Sequence, residues 1–232
     1  MSLPTVAEVR RRIGAVSEPQ YRFGLMATYL FDARISEIVS GVCPGDNGGK
    51  EVARGPRGTD ARLDSFASSG QQIPCVIFSV KTAKRGGRLR SIALPLEEQY
   101  EPWTKPLFEY YQQAESRPVF PYTRQQIWWY VKKEKMFEGL TYPIEKYTVK
   151  EDNGLKKEVN SHDRPFALHA LRHLRATELV EFYGFNGYNL STYGGWTLKT
   201  VVGVSASMER YLSLSWQNYF EKLVKKRTSA IL

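Results

Sequence analysis

Leucines at 168, 171, 174 and 179 fall within one stripe of an α-helix, and Pro165 stands just ahead of them. This spacing predicts a strong helix from Ala167 to Tyr183, which needs other helices or a sheet to cover its apolar side. Helical periodicity recurs from Pro4 to Ile13 through Val6, Val9 and Ile13, and from Gln20 to Phe31 through Phe23, Leu25, Met26, Tyr29 and Leu30. Thr104 to Ala114 reads the same way. Thr123 followed by Gln126 is a capping-box start for a helix reaching about Phe137. Leu198 to Leu214 is expected to be helical, and Ser215 to Lys226 is expected to form a basic amphipathic tail with Tyr219, Phe220 and Leu223 on one stripe. That tail either docks onto a second copy or packs on its own core.

Strand signals are fewer. Cys75 to Val80 and Leu89 to Leu94 are β-rich and flank the turn chemistry of Lys84-Arg-Gly-Gly87, which predicts a hairpin with Lys81 and Lys84 near its tip. A second, polar hairpin is expected between Tyr142 and Val159, centred on Asn153-Gly154. Residues 44–70 are rich in Gly, Pro, Asp, Arg and Ser without sustained periodicity, which predicts a long flexible basic loop or insertion. Arg54, Arg57 and Arg62 lie within it, in reach of a phosphate backbone or simply solvated. Tyr188 to Trp196 reads as a glycine-punctuated connector. The expected class is mainly α with a small antiparallel β-sheet (α+β).

At 232 residues, 42% of them hydrophobic, the chain has material for one substantial core and is read as a single domain over 1–232. Lysine and arginine total 33 against 24 acidic residues, a net charge of +9, so long-range fields favour polyanions, nucleic acid first. No apolar run approaches a membrane span, and the start lacks the succession of a signal peptide. Cys43 and Cys75 have no metal-ligand spacing and make no disulfide framework, as in a reducing compartment. The expected setting is cytoplasmic, nucleoid-associated or otherwise inside a host cell, with no membrane partner.

Several scattered side chains suit chemistry at a phosphodiester. His169 and Arg172, three apart, share a helix face. A guanidinium matches phosphate oxygens in pairs, so Arg34 and Arg172 together would neutralise a pentacoordinate transition state, although Arg34 has a structural alternative as the ion-pair partner of Glu37. Tyr211 is a candidate covalent nucleophile, Lys81 (or Lys84) a proton donor to the departing oxygen, His169 a proton acceptor or a ligand to a phosphate oxygen, and Trp196 an indole donor or a packed aromatic. His173 is expected to support the arginine segment. Glu37 is either an orienting acid or a surface group.

Taken in order, Arg34, Lys81, His169, Arg172, Trp196 and Tyr211 resemble the catalytic set of the tyrosine recombinase (phage integrase) family. Ala33-Arg34-Ile35-Ser36-Glu37-Ile38 is similar to that family's Gly-Leu-Arg-Ile-Ser-Glu-Leu box. Leu171-Arg172-His173-Leu174-Arg175-Ala176-Thr177 is similar to its Leu-Arg-His-Thr box with Ala-Thr following, Lys81-Thr82-Ala83 to the Lys-Thr-Gly of some phage members, and Gly195-Trp196 to members with tryptophan in place of histidine. The resemblance covers about residue 4 to the end. It implies a tyrosine recombinase catalytic-domain fold, and because little chain precedes Arg34 the family's N-terminal DNA-clamping domain is expected to be absent, as in a catalytic fragment or an unusually small member. It further implies DNA recombination and integration for a mobile element: strand breakage and rejoining through a 3′-phosphotyrosyl link with a 5′-hydroxyl released, no metal or nucleotide cofactor, and a homo-oligomer, a tetramer on double-stranded DNA, with accessory DNA-bending proteins as further partners.

Trp196 and Tyr211 are further apart than is usual in the family, which leaves open a different tyrosine or cleavage in trans by a neighbouring subunit. Two other readings stand beside recombination. A type IB topoisomerase-like enzyme would relax supercoils by the same chemistry, and a non-catalytic DNA-binding module would bind without cutting.

Overall fold

The computed structural model describes residues 4–41, 55–68, 70–82, 89–144, 147–150, 156–159, 162–196 and 215–224. Helix α1 (Val6–Gly14) starts where the Thr5 hydroxyl accepts the Glu8 N–H at 3.2 Å, and buries Val9 and Ile13. Helix α2 (Pro19–Leu30) opens on a proline in its first turn and is buried without a break from Gly24 to Leu30. That run is apolar on all sides because α2 is the central helix, with α1, the short α3 (Ile35–Ile38), α4 (Thr104–Ala114) and α6 (Leu168–Glu181) all packed around it. Helix α5 (Arg124–Lys133) has the expected capping box, with Thr123 accepting from the Gln126 N–H at 3.1 Å and Gln126 accepting from the Thr123 N–H at 2.7 Å. It stops four residues before Phe137, at a turn where Lys135 adopts φ 49.

One antiparallel sheet of three strands, β1 (Ala61–Ser68), β2 (Gln71–Lys81) and β3 (Leu89–Pro95), has β2 in the middle. The expected β2–β3 hairpin is present, with Val80 opposite Arg90 and Lys81 opposite Leu89. The expectation of a loop over 44–70 fails at its far end, because Ala61–Ser68 is a strand paired along its whole length with Phe78–Gln71. Half of its side chains are exposed and only Ala61 is fully buried, so the strand owes its form to β2's hydrogen bonds more than to an apolar pattern of its own. Arg57 donates to the Ser116 carbonyl at 2.5 Å and Arg62 lies 3.6 Å from Asp64. Arg54 lies outside the described residues.

The sheet is covered on both faces. Val76, Phe78 and Val80 of β2 enter the helical core, while Cys75 and Ile77 point the other way, joining Ala93 and Phe220. Phe220 belongs to α8 (Gln217–Leu223), whose Tyr219, Phe220 and Leu223 are all buried against this chain's own β3, β1 and α7 (Gly187–Gly194). The Tyr219 hydroxyl accepts the Ala93 N–H at 3.0 Å. Burial pushes the Cys75 thiol up to about 12, which keeps it protonated.

Between α5 and α6 runs a long hairpin in which β4 (Thr141–Ile144) pairs with β7 (His162–Pro165) and β5 (Tyr147–Lys150) with β6 (Lys156–Val159), in one register centred on position 153. Helix α7 corrects the expectation of a connector over Tyr188–Trp196. Its glycines lie at the two ends, where Gly195 caps the helix at φ 65, and the Asn186 side chain starts it by accepting from the Asn189 N–H at 3.0 Å. The whole is a helix-and-strand α+β architecture, and no helix among the described residues is long and apolar enough to cross a membrane.

Candidate functional site

The site begins at the end of α2. After Leu30 the backbone turns through Asp32, held at φ 48 while the Ala33 N–H donates to the Thr28 carbonyl at 3.1 Å. This left-handed turn carries the Asp32 carboxylate into the interior, where it has no solvent exposure, and starts α3 with Arg34 at the N-cap. Glu37, one turn on, accepts the Arg34 backbone N–H and its Nη1, each at 3.1 Å. The ion-pair alternative for Arg34 is therefore present, with 35% of its side chain still exposed.

Three more segments converge here. Arg90 of β3 donates Nη1 to the carbonyls of Phe31, at 2.9 Å, and of Tyr193, and its Nη2 lies 3.4 Å from Glu37 Oε2. Arg172 of α6 places Nε 3.6 Å from Asp32 Oδ1, donates Nη2 to the Gly194 carbonyl at 2.9 Å, and lies 5.0 Å from the centroid of the Trp196 ring. The Trp196 indole N–H donates to Asp32 Oδ2 at 2.6 Å. Gly194 makes that approach possible, since a Cβ there would collide with Asp32 Oδ2 and with the indole.

Electrically, three guanidiniums (Arg34, Arg90, Arg172) face two carboxylates (Asp32, Glu37). Burial raises the Asp32 carboxyl to about 6 against the opposing pull of Arg172 and the indole N–H, and burial lowers Arg172. Arg172 Nη1 is buried with no hydrogen-bond partner among the described residues. The cluster therefore has an excess of positive charge and two unmatched buried donors, Arg172 Nη1 and Arg90 Nε, against one unmatched acceptor, Asp32 Oδ1, a balance that favours an oxyanion.

His169, one helical turn before Arg172, is half-buried and meets the edge of His173 at a ring distance of 4.9 Å. Tyr142 of β4 stacks on His173 at 6.3 Å. Burial, then His173, Arg172 and Arg34, hold the His169 imidazole below its usual range, so it is neutral at neutral pH and able to accept a proton.

No family model, no curated protein and no solved structure matches this chain.

Of the residues singled out in the sequence, Arg34, His169, Arg172 and Trp196 are brought into one cluster by α3, α6 and the end of α7. Lys81 is exposed at the end of β2, and its neighbour Thr82 lies against the same segment, since a Cβ on Gly195 would sit 3.2 Å from Thr82 Cγ2. Tyr211, Lys84 and Cys43 lie outside the described residues. Among the described residues, no group of three or more His, Cys, Asp or Glu side chains is arranged to hold a metal ion.

Two members of the cluster escape a reading of the sequence. Arg90 carries a usable signal, because it shares the inward alternation of Ile92 and Leu94 on a β-rich segment, where a charge needs a partner. Asp32 carries none, since its part depends on a backbone angle that nearby residues do not announce. A second buried network supports the site from behind: Arg175 is salt-bridged to Glu178 and donates to the Tyr193 hydroxyl at 3.1 Å, and Tyr29 donates to Glu178 at 2.6 Å.

Proposed function

We propose that this protein breaks and rejoins DNA strands as a tyrosine-type site-specific recombinase, using a 3′-phosphotyrosyl intermediate. The observation that carries the reading is the convergence of Arg34 and Arg172, 138 positions apart in the chain, beside His169 and around an unmatched donor. In the proposed step the Tyr211 oxygen attacks phosphorus while Arg34 and Arg172 Nη1 hold the non-bridging oxygens. His169 takes the phenolic proton. The bond from phosphorus to the 5′-oxygen breaks, and Lys81 protonates the leaving oxygen, so the phosphodiester energy is kept in the phosphotyrosine and no nucleotide is consumed. The Trp196 N–H is engaged by Asp32, so its contribution is the ring beneath Arg172, which fixes the guanidinium plane.

A nicked suicide substrate, which traps the covalent product, provides the test. Wild-type protein is expected to give a DNA-linked peptide whose mass maps to Tyr211. Tyr211→Phe should abolish it, and Arg172→Ala should reduce capture by about a hundredfold or more. Capture at full yield by Tyr211→Phe would assign the attack to another residue, and no capture by wild type would leave a protein that only binds.

A further inference from the structure

Helix α5 carries a surface that the strand-cleavage reading does not use. Its buried side is Ile127 and Val131, and the opposite side is exposed over Arg124, Gln125, Trp128, Trp129, Lys132 and Lys133. Trp128 is 39% exposed and Trp129 57%, two adjacent indoles left in water, with their rings edge-to-face at 5.0 Å. The Lys132 ammonium lies 4.4 Å above the Trp128 ring. Helical spacing aligns Arg124, Trp128 and Lys132 as one stripe and Gln125, Trp129 and Lys133 as the next. No acid occurs within the helix; Glu134, just past its end, lies 3.7 Å from Lys133.

We infer that this face of α5 is a platform for unpaired single-stranded DNA, on which a base stacks against Trp129 while Lys132 and Lys133 meet the flanking phosphates. Three observations select this occupant. The charge within the helix is of one sign and suits a polyanion, with Lys132 over the Trp128 ring and Glu134 beside Lys133 just past the helix end. The apolar groups on offer are two flat rings and no aliphatic chain, because Ile127 and Val131 are already buried in the core, so the face presents a stacking surface with little apolar area to bury in a lipid surface. Finally, paired bases have both faces covered by their neighbours, so an exposed indole can stack only on a base that is out of the duplex. The platform does not depend on phosphotyrosyl chemistry. If that chemistry operates, the strand released with a 5′-hydroxyl is an unpaired segment of the right kind.

Titration of the full chain with fluorescein-labelled oligothymidylate, read by anisotropy and by quenching of tryptophan emission, tests the inference. Trp129→Ala should weaken binding about tenfold, and Trp128→Ala with Trp129→Ala should weaken it further and remove most of the quenching, with the melting temperature unchanged because both rings lie outside the core. Replacing Lys132 and Lys133 with glutamine should flatten the dependence of log affinity on log salt by about 0.7 for each phosphate no longer neutralised. Equal strand affinity in the double tryptophan variant overturns the platform. So does competition by the fully paired duplex as effective as by the single strand, or a blue-shifted tryptophan emission on phosphatidylserine vesicles that the double variant abolishes while strand binding is retained. Loss of covalent capture with strand binding intact would defeat only the proposed cleavage; capture intact with no tryptophan effect would defeat only the platform.

Discussion

A non-glycine residue at φ 48 needs its surroundings to hold it there, and at Asp32 they do: one carboxylate oxygen takes the Trp196 N–H and the other faces Arg172. Truncating that side chain would leave a guanidinium buried without its counter-charge. Asp32→Ala is accordingly expected to cost about 3 kcal/mol in urea unfolding. The pH dependence is more specific. A carboxyl raised from 3.8 to about 6 in the folded state lends stability that is complete below 3.8 and is lost as pH rises through 6. His169 and His173 act in the opposite sense, since imidazoles held below 6.5 by burial lose stability as pH falls under that value. Melting curves across this range should therefore show opposed trends in the wild type, with only the histidine trend surviving in Asp32→Asn. If the rate of covalent capture rests on neutral His169, it should fall on the acid side, at a pH below 6.5.

At the scale of elements, α8 sits on the outer face of the sheet and supplies Phe220 to the small cluster with Cys75, Ile77 and Ala93. Phe220→Ala should lower stability by about 3 kcal/mol in the same unfolding assay, and the tail could not then be removed without harm to the fold. The elements legible in the sequence are those whose own side chains carry the period: α4 has the expected bounds of Thr104 and Ala114, α5 begins at its capping box, and the β2–β3 hairpin stands where its alternation puts it, whereas the polar hairpin pairs from Thr141 to Pro165, beyond the expected Val159, in a register centred on 153 rather than between Asn153 and Gly154. Where the cause lies elsewhere, reading by pattern fails. Strand β1 is imposed by its partner, and α7 hides behind glycines that look like loop but stand at its ends. The same division holds in the site. Arg34, His169, Arg172 and Trp196 declare themselves by type and local wording, whereas Asp32 and Arg90 matter only because four separate segments bury them together.

For the molecule as a whole, the turn after α2, α3, β3, α6 and the end of α7 each contribute one or two side chains to a single charged cluster, so the site exists only when the core around α2 is closed. If the cluster takes an oxyanion as proposed, its affinity would depend on the same closure that folds the chain. A buried guanidinium nitrogen on Arg172, matched by nothing among the described residues, is the group a bound oxyanion would stabilise under the proposed reading. Orthovanadate or phosphate should delay thermal collapse by an amount that grows with the logarithm of concentration, about 2.7 kcal/mol at roughly a hundred times Kd, while chloride at equal ionic strength should do little and Arg172→Lys should be blind to both. A heating ramp in a plate of oxyanions would then rank what this cluster prefers before any DNA sequence is known.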